Sequence, residues 1–156
     1  MYKVLRYLVL GPVLFAAALS CTAAVTPELD LGAYQGKVVY VDFWASWCSP
    51  CRQSFPWMQT MLEKYGKDGL VIVAVNVDQE RRLADEFLKE RPTAFPVIFD
   101  SAGSLAARFN VQTMPASYLF DRKGQQRVHH LGFHESRRDG YEQEIRALLA
   151  ESVTKP

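Results

Sequence analysis

The chain has 156 residues, 49% of them hydrophobic and 22% charged, which allows one compact domain and excludes a disordered chain. Its formal charge is +1; with Lys3 and Arg6 lost in a leader, 16 basic residues face 17 acidic ones, a net of −1 with no basic run, so no nucleic-acid partner is expected. Three cysteines are too few for a disulfide scaffold or a four-thiolate zinc site.

Met1–Leu19 reads as a secretory signal: two positive charges, an apolar stretch from Tyr7 to Leu19, then small residues. That stretch is 13 residues long, short of the roughly 20 that span a bilayer, and Gly11-Pro12 interrupts it. Export places the domain outside the cytosol, on the periplasmic side. Ala18-Leu19-Ser20-Cys21 resembles the lipobox of bacterial lipoproteins, whose cysteine is lipidated and becomes the new N-terminus, although Ala18 stands where that pattern prefers leucine. A cut after Ala23 or Ala24 is the competing processing. Either route disposes of a free thiol that would form wrong disulfides in an oxidising compartment. Lipidation attaches more than one acyl chain, enough for stable membrane anchoring. The expected organisation is a lipoprotein-type signal peptide over 1–20, a tether over 21–33 and one domain over 34–152.

The domain reads as alternating strands and helices. Val38–Trp44 is β-branched and aromatic, a central-strand signature. From Cys51 to Tyr65 the apolar residues Phe55, Met58, Met61, Leu62 and Tyr65 recur at helical spacing, and Gly66 ends the run. Leu70–Asp78 is nearly continuously apolar, as a strand buried on both faces should be. Glu80–Arg91 predicts a helix with Leu83, Phe87 and Leu88 inward and Pro92 closing it. A short strand at Pro96–Phe99 and a short helix at Ser104–Phe109 follow. Ala116–Asp121 and Gln126–Leu131 flank an Asp-Arg-Lys-Gly turn and predict a hairpin. Ser136 and Asp139 are spaced as a capping box before the apolar stripe Tyr141, Ile145, Leu148 and Leu149. This order implies an α/β fold, a mixed central sheet with helices on both faces.

The strongest chemical signal is Cys48-x-x-Cys51 where a buried strand gives way to a helix. Three residues apart at a helix start, the two sulfurs face the same way and can form a disulfide. Unpaired N–H groups and the helix dipole favour negative charge at Cys48, where a thiol pKa drops from about 8.5 to about 3.5–7.5. Cys48 is therefore the attacking thiolate, and Cys51, a turn inside, the resolving thiol. Pro50 fits the first turn, where its missing donor costs nothing. By itself CxxC also fits a static disulfide or half of a zinc site. Zinc needs two further ligands, and the adjacent His129 and His130 point to opposite faces of their strand.

The run Val41-Asp42-Phe43-Trp44-Ala45-Ser46-Trp47-Cys48-Ser49-Pro50-Cys51-Arg52 is similar to the active-site segment of the thioredoxin superfamily. Phe55-Pro56, Val75-Asn76-Val77-Asp78, Thr113-Met114-Pro115-Ala116-Ser117 and the exported leader resemble its TlpA/ResA-like branch, membrane-tethered thiol–disulfide oxidoreductases of the bacterial envelope. The resemblance implies a thioredoxin-like fold with Pro115 as the cis-proline beside the cysteines. It implies substrate contacts at Trp47, Ser49, Pro50, Met114 and Pro115, with Met114 offering backbone groups to an extended substrate strand. Trp44 either helps wall the site or belongs to the core; Pro56 matches a helix-kinking proline. Two departures stand out. Ser54 replaces the glutamate that ResA-like reductases carry three residues after the second cysteine. Asp42 occupies the position of thioredoxin's buried aspartate, but Val73-Ala74-Val75 lacks the neighbouring lysine. Burial raises the pKa of such a carboxyl and suits it to take the Cys51 proton.

The implied function is reduction of disulfides in exported proteins by a monomer, with no cofactor beyond the cysteine pair and a membrane electron donor restoring the dithiol. Apocytochrome c, a copper-site protein and a disulfide isomerase are all substrates compatible with the branch. Two alternatives remain at this level. One is a dithiol oxidase or isomerase, since about 30 mV corresponds to only about 1.4 kcal/mol. The other is a copper-binding assembly factor using the thiolates with His129, His130 or His134, although such factors with this fold carry CxxxC.

Overall fold

Strand β1, Val38–Trp44, is buried along its whole length, and the sheet is assembled around it. The structure is a computed structural model and describes residues 28–151. Strand β2, Leu70–Asn76, runs parallel to β1, and β3, Val97–Phe99, runs parallel to β2. On the other side of β1 lie the antiparallel β4, Ala116–Phe120, and β5, Gln126–Leu131. The order β3-β2-β1-β4-β5 is the mixed sheet that the element pattern predicts.

Helices α1 (Ser49–Tyr65), α2 (Arg81–Glu90), α3 (Ser104–Arg108) and α4 (Arg138–Ala150) are divided between its faces. Strand alternation sends Val38, Tyr40, Asp42 and Trp44 to one face and Val39, Val41 and Phe43 to the other. The first face packs with α1, α2 and α4 in a core that includes Phe55, Met58, Phe87, Ile145 and Leu148. The second packs with Leu105 of α3 and with Leu29. Trp44 is wholly buried, its ring 4.8 Å from Phe55 and 4.6 Å from Phe87, so it belongs to the core rather than to the site wall.

Two expectations are corrected. The folded part begins before residue 34: Leu29 is buried, its carbonyl accepts from Arg108 Nη2 at 3.4 Å, and Leu31–Tyr34 forms a 3-10 turn. Leu29 and Leu31 of the expected tether, with Tyr34, thus pack on the sheet as apolar cover for the second core, while Glu28, Asp30, Gly32 and Ala33 stay exposed. Ser136 and Asp139 make no capping box. Glu135–Arg137 turns as a 3-10 helix, and α4 starts at Arg138 without a side-chain cap. Gly66 ends α1 as expected, but at φ −58 rather than in the left-handed region; a Cβ there would lie 2.7 Å from the Leu62 carbonyl oxygen. The expected signal peptide over 1–20 and the expected lipidation site Cys21 lie outside the described residues. No helix among the described residues is long and apolar enough to cross a membrane.

At the end of the sheet away from Cys48, Arg122 gathers three chain segments. Its Nη1 donates to the Gly36 carbonyl at 2.9 Å, and its Nη2 donates to those of Asp68 and Leu149, each at 3.0 Å. Gly69 lets the guanidinium in: its φ is +103, and a Cβ would stand 2.9 Å from Nη1. Arg122→Met keeps the apolar stem but leaves the three carbonyls without their donors. It is expected to lower stability by about 2 kcal/mol in urea unfolding, with the reactivity of the cysteine pair unchanged.

Candidate active site

The chain leaves β1 at Trp44 and turns through Ala45–Trp47 into α1. This turn is held from the neighbouring strand. Asp78, just beyond β2, accepts from the Ser46 N–H at 2.9 Å and from the Ser46 hydroxyl at 3.0 Å. Asn76 steadies that carboxylate by donating from Nδ2 at 2.8 Å, and Arg52 Nη2 closes the turn on the Ser46 carbonyl at 3.2 Å. The sequence marks Asp78 only as part of a strand end, and the Asn76-Val77-Asp78 pattern closing an apolar run was the available signal.

Cys48 then falls at the N-cap of α1, and its Sγ accepts the backbone N–H of Cys51 at 3.2 Å. An N-cap side chain ordinarily uses oxygen to satisfy the third helical donor; here sulfur does so. Cys48 and Cys51 are joined in a disulfide with their Cα atoms 5.3 Å apart. Both cysteines are buried, Cys48 with 3% exposure and Cys51 with none. Ser49 is exposed and Pro50 half-buried in the first turn, where the proline lacks no needed donor. Pro56 lies inside α1, and Thr60 Oγ1 donates to its carbonyl at 3.0 Å.

The Met114–Pro115 peptide is cis. The antiparallel register sets Ala116 opposite Phe43, so Pro115 stands at the sheet end that carries Cys48. Gly132 N–H donates to the Pro115 carbonyl at 2.8 Å, and Met114 is half-buried just before β4. Trp47 is 68% exposed, and Leu131, paired with Ala116, is 57% exposed. These are the large exposed apolar side chains among the described residues, and both lie at this end. Sequence reasoning found Trp47 but missed Leu131, which alternation alone placed on no recognised surface. A surface hollow lined by Tyr65, Arg122, Glu142 and Arg146 lies at the far end of α1. The cysteines lie at the opposite end of α1, on the rim that carries Trp47 and Leu131.

Asp42 projects from β1 toward the face that α1 covers, and it is buried. Its Oδ2 has no hydrogen-bond partner among the described residues. Burial alone pushes its pKa well above the ordinary carboxylate range. Ala74 stands opposite it on β2, the place where the neighbouring lysine is lacking. Ser54 is also buried, and its hydroxyl donates back to the Cys51 carbonyl at 3.2 Å, a local use of the position expected to hold a glutamate. The histidines diverge: the His129 ring stacks 4.3 Å from Tyr118 on one face, His130 turns to the other, and His134 is exposed. Among the described residues, no three His, Cys, Asp or Glu side chains gather as a metal site.

Comparison with known proteins agrees with this geometry. Residues 17–149 match the Redoxin family. Thiol-disulfide oxidoreductase ResA of Bacillus thuringiensis is 32% identical over 97 residues, covering 62% of this chain and 56% of its own. The chain thus spans about half the length of the curated relatives it matches. A Chlorobium tepidum structure assigned as a thiol:disulfide interchange protein DsbE is 46% identical. It superposes with a TM-score of 0.75 over 77% of this chain and 85% of that one. The exposed lipoprotein thioredoxin Etrx1 of Streptococcus pneumoniae is 30% identical with a TM-score of 0.65, over 76% of this chain and 90% of its own.

The burial of Asp42 has a sign that stability reports. In the unfolded chain an aspartate ionises near pH 3.9, roughly, whereas in the fold Asp42 holds its proton to higher pH. Stability is therefore lost as pH rises from about 4 through the raised pKa. Asp42→Asn is expected to match the parent at pH 3 and to exceed it at pH 8, by about 1.4 kcal/mol for each unit of upward shift. Equal melting of the two proteins at both pH values would contradict the shift.

Proposed function

The chain belongs to the Redoxin family, within the thioredoxin-like, TlpA/ResA branch, and from that premise we propose that it is an extracytoplasmic thiol–disulfide oxidoreductase. It reduces disulfides of exported proteins through the Cys48–Cys51 couple. The observation that carries this reading is the Cys51 N–H directed at Cys48 Sγ at the start of α1. On reduction the same bond becomes charge-assisted, and such bonds are roughly twice as strong as neutral ones.

In the reduced protein the Cys48 thiolate attacks one sulfur of a substrate disulfide. A mixed disulfide forms on Cys48, and the displaced substrate sulfur leaves as a thiolate and takes a proton from water. Asp42 then accepts the Cys51 proton, and the Cys51 thiolate attacks Cys48 Sγ. This breaks the mixed disulfide, closes Cys48–Cys51 and releases the second substrate sulfur as a thiolate, which takes a proton from water. Two electrons pass to the substrate, and a membrane electron donor returns them to the pair. Trp47, Ser49, Pro50, Met114 and Pro115 contact the substrate strand, and exposed Leu131 extends the apolar rim. No further cofactor is required, and the protein works as a monomer.

Localisation rests on the leader and on Cys21, which we read as the lipidated residue that holds the domain at the membrane. The Streptococcus pneumoniae neighbour, an exposed lipoprotein thioredoxin, supports that reading.

Direction is tested by the reduction potential of the pair. A value near about −270 mV, as in thioredoxin, is expected, and one near about −120 mV, as in DsbA, would reverse the direction. In cells, Cys51→Ser is expected to stall a mixed disulfide between Cys48 and an exported protein. Recovery of the variant with no protein adduct would count against a protein substrate.

A further inference from the structure

Beside Asp42 runs a line of polar groups that the exchange steps do not use. Asp42 on β1 pairs with Ser117 on β4, and Ser117 pairs with His130 on β5, so the three form one row across the sheet. The row lies on the face covered by α1 and α4. Tyr40 Oη donates to Ser117 Oγ at 2.8 Å. Ser117 Oγ lies 3.3 Å from His130 Nδ1, and His130 Nε2 lies 2.7 Å from Glu144 Oε2 on α4. That last approach is close, though it departs from the line of an ideal ring N–H bond. Tyr40, Asp42, Ser117 and His130 are buried, and Glu144 is one-third exposed. The line therefore leads from the interior to water.

Apolar residues would fill this space at lower cost, since each buried polar group must be matched by a partner. The donors also point one way. Burial, with the charge of Asp42 adding to it, raises the Tyr40 phenol well above its usual range, so Tyr40 remains a donor. Ser117 accepts from Tyr40 and turns its own proton to His130 Nδ1, which assigns the ring hydrogen to Nε2, facing Glu144. Burial lowers the His130 pKa against the opposing influence of Glu144, while Arg137 and His129 add to the lowering. The remaining neighbour is Tyr141 of α4, its ring 4.6 Å from the imidazole. At neutral pH the ring is uncharged and free to accept at Nδ1.

We propose that Ser117, His130 and Glu144 carry the proton that Asp42 takes from Cys51 out to solvent, with His130 as the residue that positions and receives the Ser117 proton. The proposal rests on the exchange reading above. Directly opposed residues on an antiparallel pair have Cβ atoms about 4.5–5.5 Å apart, a gap that side-chain rotation or one water molecule spans. Protonated Asp42 gives its proton to Ser117 Oγ as the Ser117 proton passes to His130 Nδ1. His130 gives up its Nε2 proton to the Glu144 carboxylate, which exchanges with bulk water. No electrons move; Asp42 regains its negative charge, and one proton reaches solvent.

The test uses the full-length reduced protein and oxidised glutathione, with the attack and release steps resolved by stopped-flow tryptophan fluorescence from pH 5 to 9. His130→Gln is expected to slow release about tenfold at pH 7 while sparing attack, less than the roughly hundredfold cost of losing a direct acid–base group. Glu144→Gln, partly exposed and isosteric, should slow release in the same sense and serves if His130→Gln folds poorly. Asp42→Asn should slow release at least as much, and adding His130→Gln to it should slow release no further. Release rates and pH profiles unchanged in both His130→Gln and Glu144→Gln, while Asp42→Asn is slow, would overturn the proton path alone. Equal slowing of attack and release by His130→Gln would make its role structural and overturn the path as well. An unaffected Asp42→Asn would overturn both the path and the role of Asp42, and an inert parent protein would overturn the exchange reading itself.

Discussion

One backbone donor aimed at one sulfur organises this molecule. Every α-helix begins with N–H groups that its own turns cannot satisfy, and most helices meet them with the oxygen of a serine, threonine, aspartate or asparagine. Helix α1 meets its third donor with Cys48 Sγ. A neutral cap of this kind contributes about 1 kcal/mol at most to stability. A thiolate at the same position gains both from that donor and from the roughly half-charge of the helix terminus. What caps the helix in the oxidised protein thus stabilises a thiolate at the same position in the reduced one. Asp78 and Arg52 fix the Ser46 turn that leads into the Cys48 cap.

Asp42 obeys the opposite physics. It lies under α1 with no helix terminus, no lysine and no hydrogen bond at Oδ2 among the described residues, so burial favours its neutral form. In the proposed exchange a sulfur at the helix terminus serves as nucleophile and the raised carboxyl as the base that takes the Cys51 proton. Both depend on β1, whose last residue precedes the cysteine turn and whose inward alternation buries the aspartate. The same sheet end carries the cis-proline and the two exposed apolar side chains, Trp47 and Leu131.

Much of this was legible from residue order. Val38–Trp44 and Gln126–Leu131 form strands with the predicted bounds, because β-branched runs and a tight turn are local signals. The cysteine spacing at a strand-to-helix junction was likewise local, and Met114–Pro115 followed from resemblance. The misses share a cause. Ser136 and Asp139 have capping-box spacing, yet the chain takes a 3-10 turn at Glu135–Arg137 because tertiary packing sets where α4 begins. Leu29 looked like tether because its partners, among them Leu105, are distant in sequence. The row from Asp42 to Glu144 depends on register across three strands, with an irregularity between Leu119 and Phe120 that no residue pattern announces.

The most direct measurement is the pH dependence of alkylation of each cysteine in the reduced protein, read by mass. The account predicts that Cys48 reacts first and titrates below about 7.5, while Cys51 stays protected until well above neutrality. Two cysteines that react at similar rates and titrate near about 8.5 would show that the helix terminus does not activate the sulfur it holds.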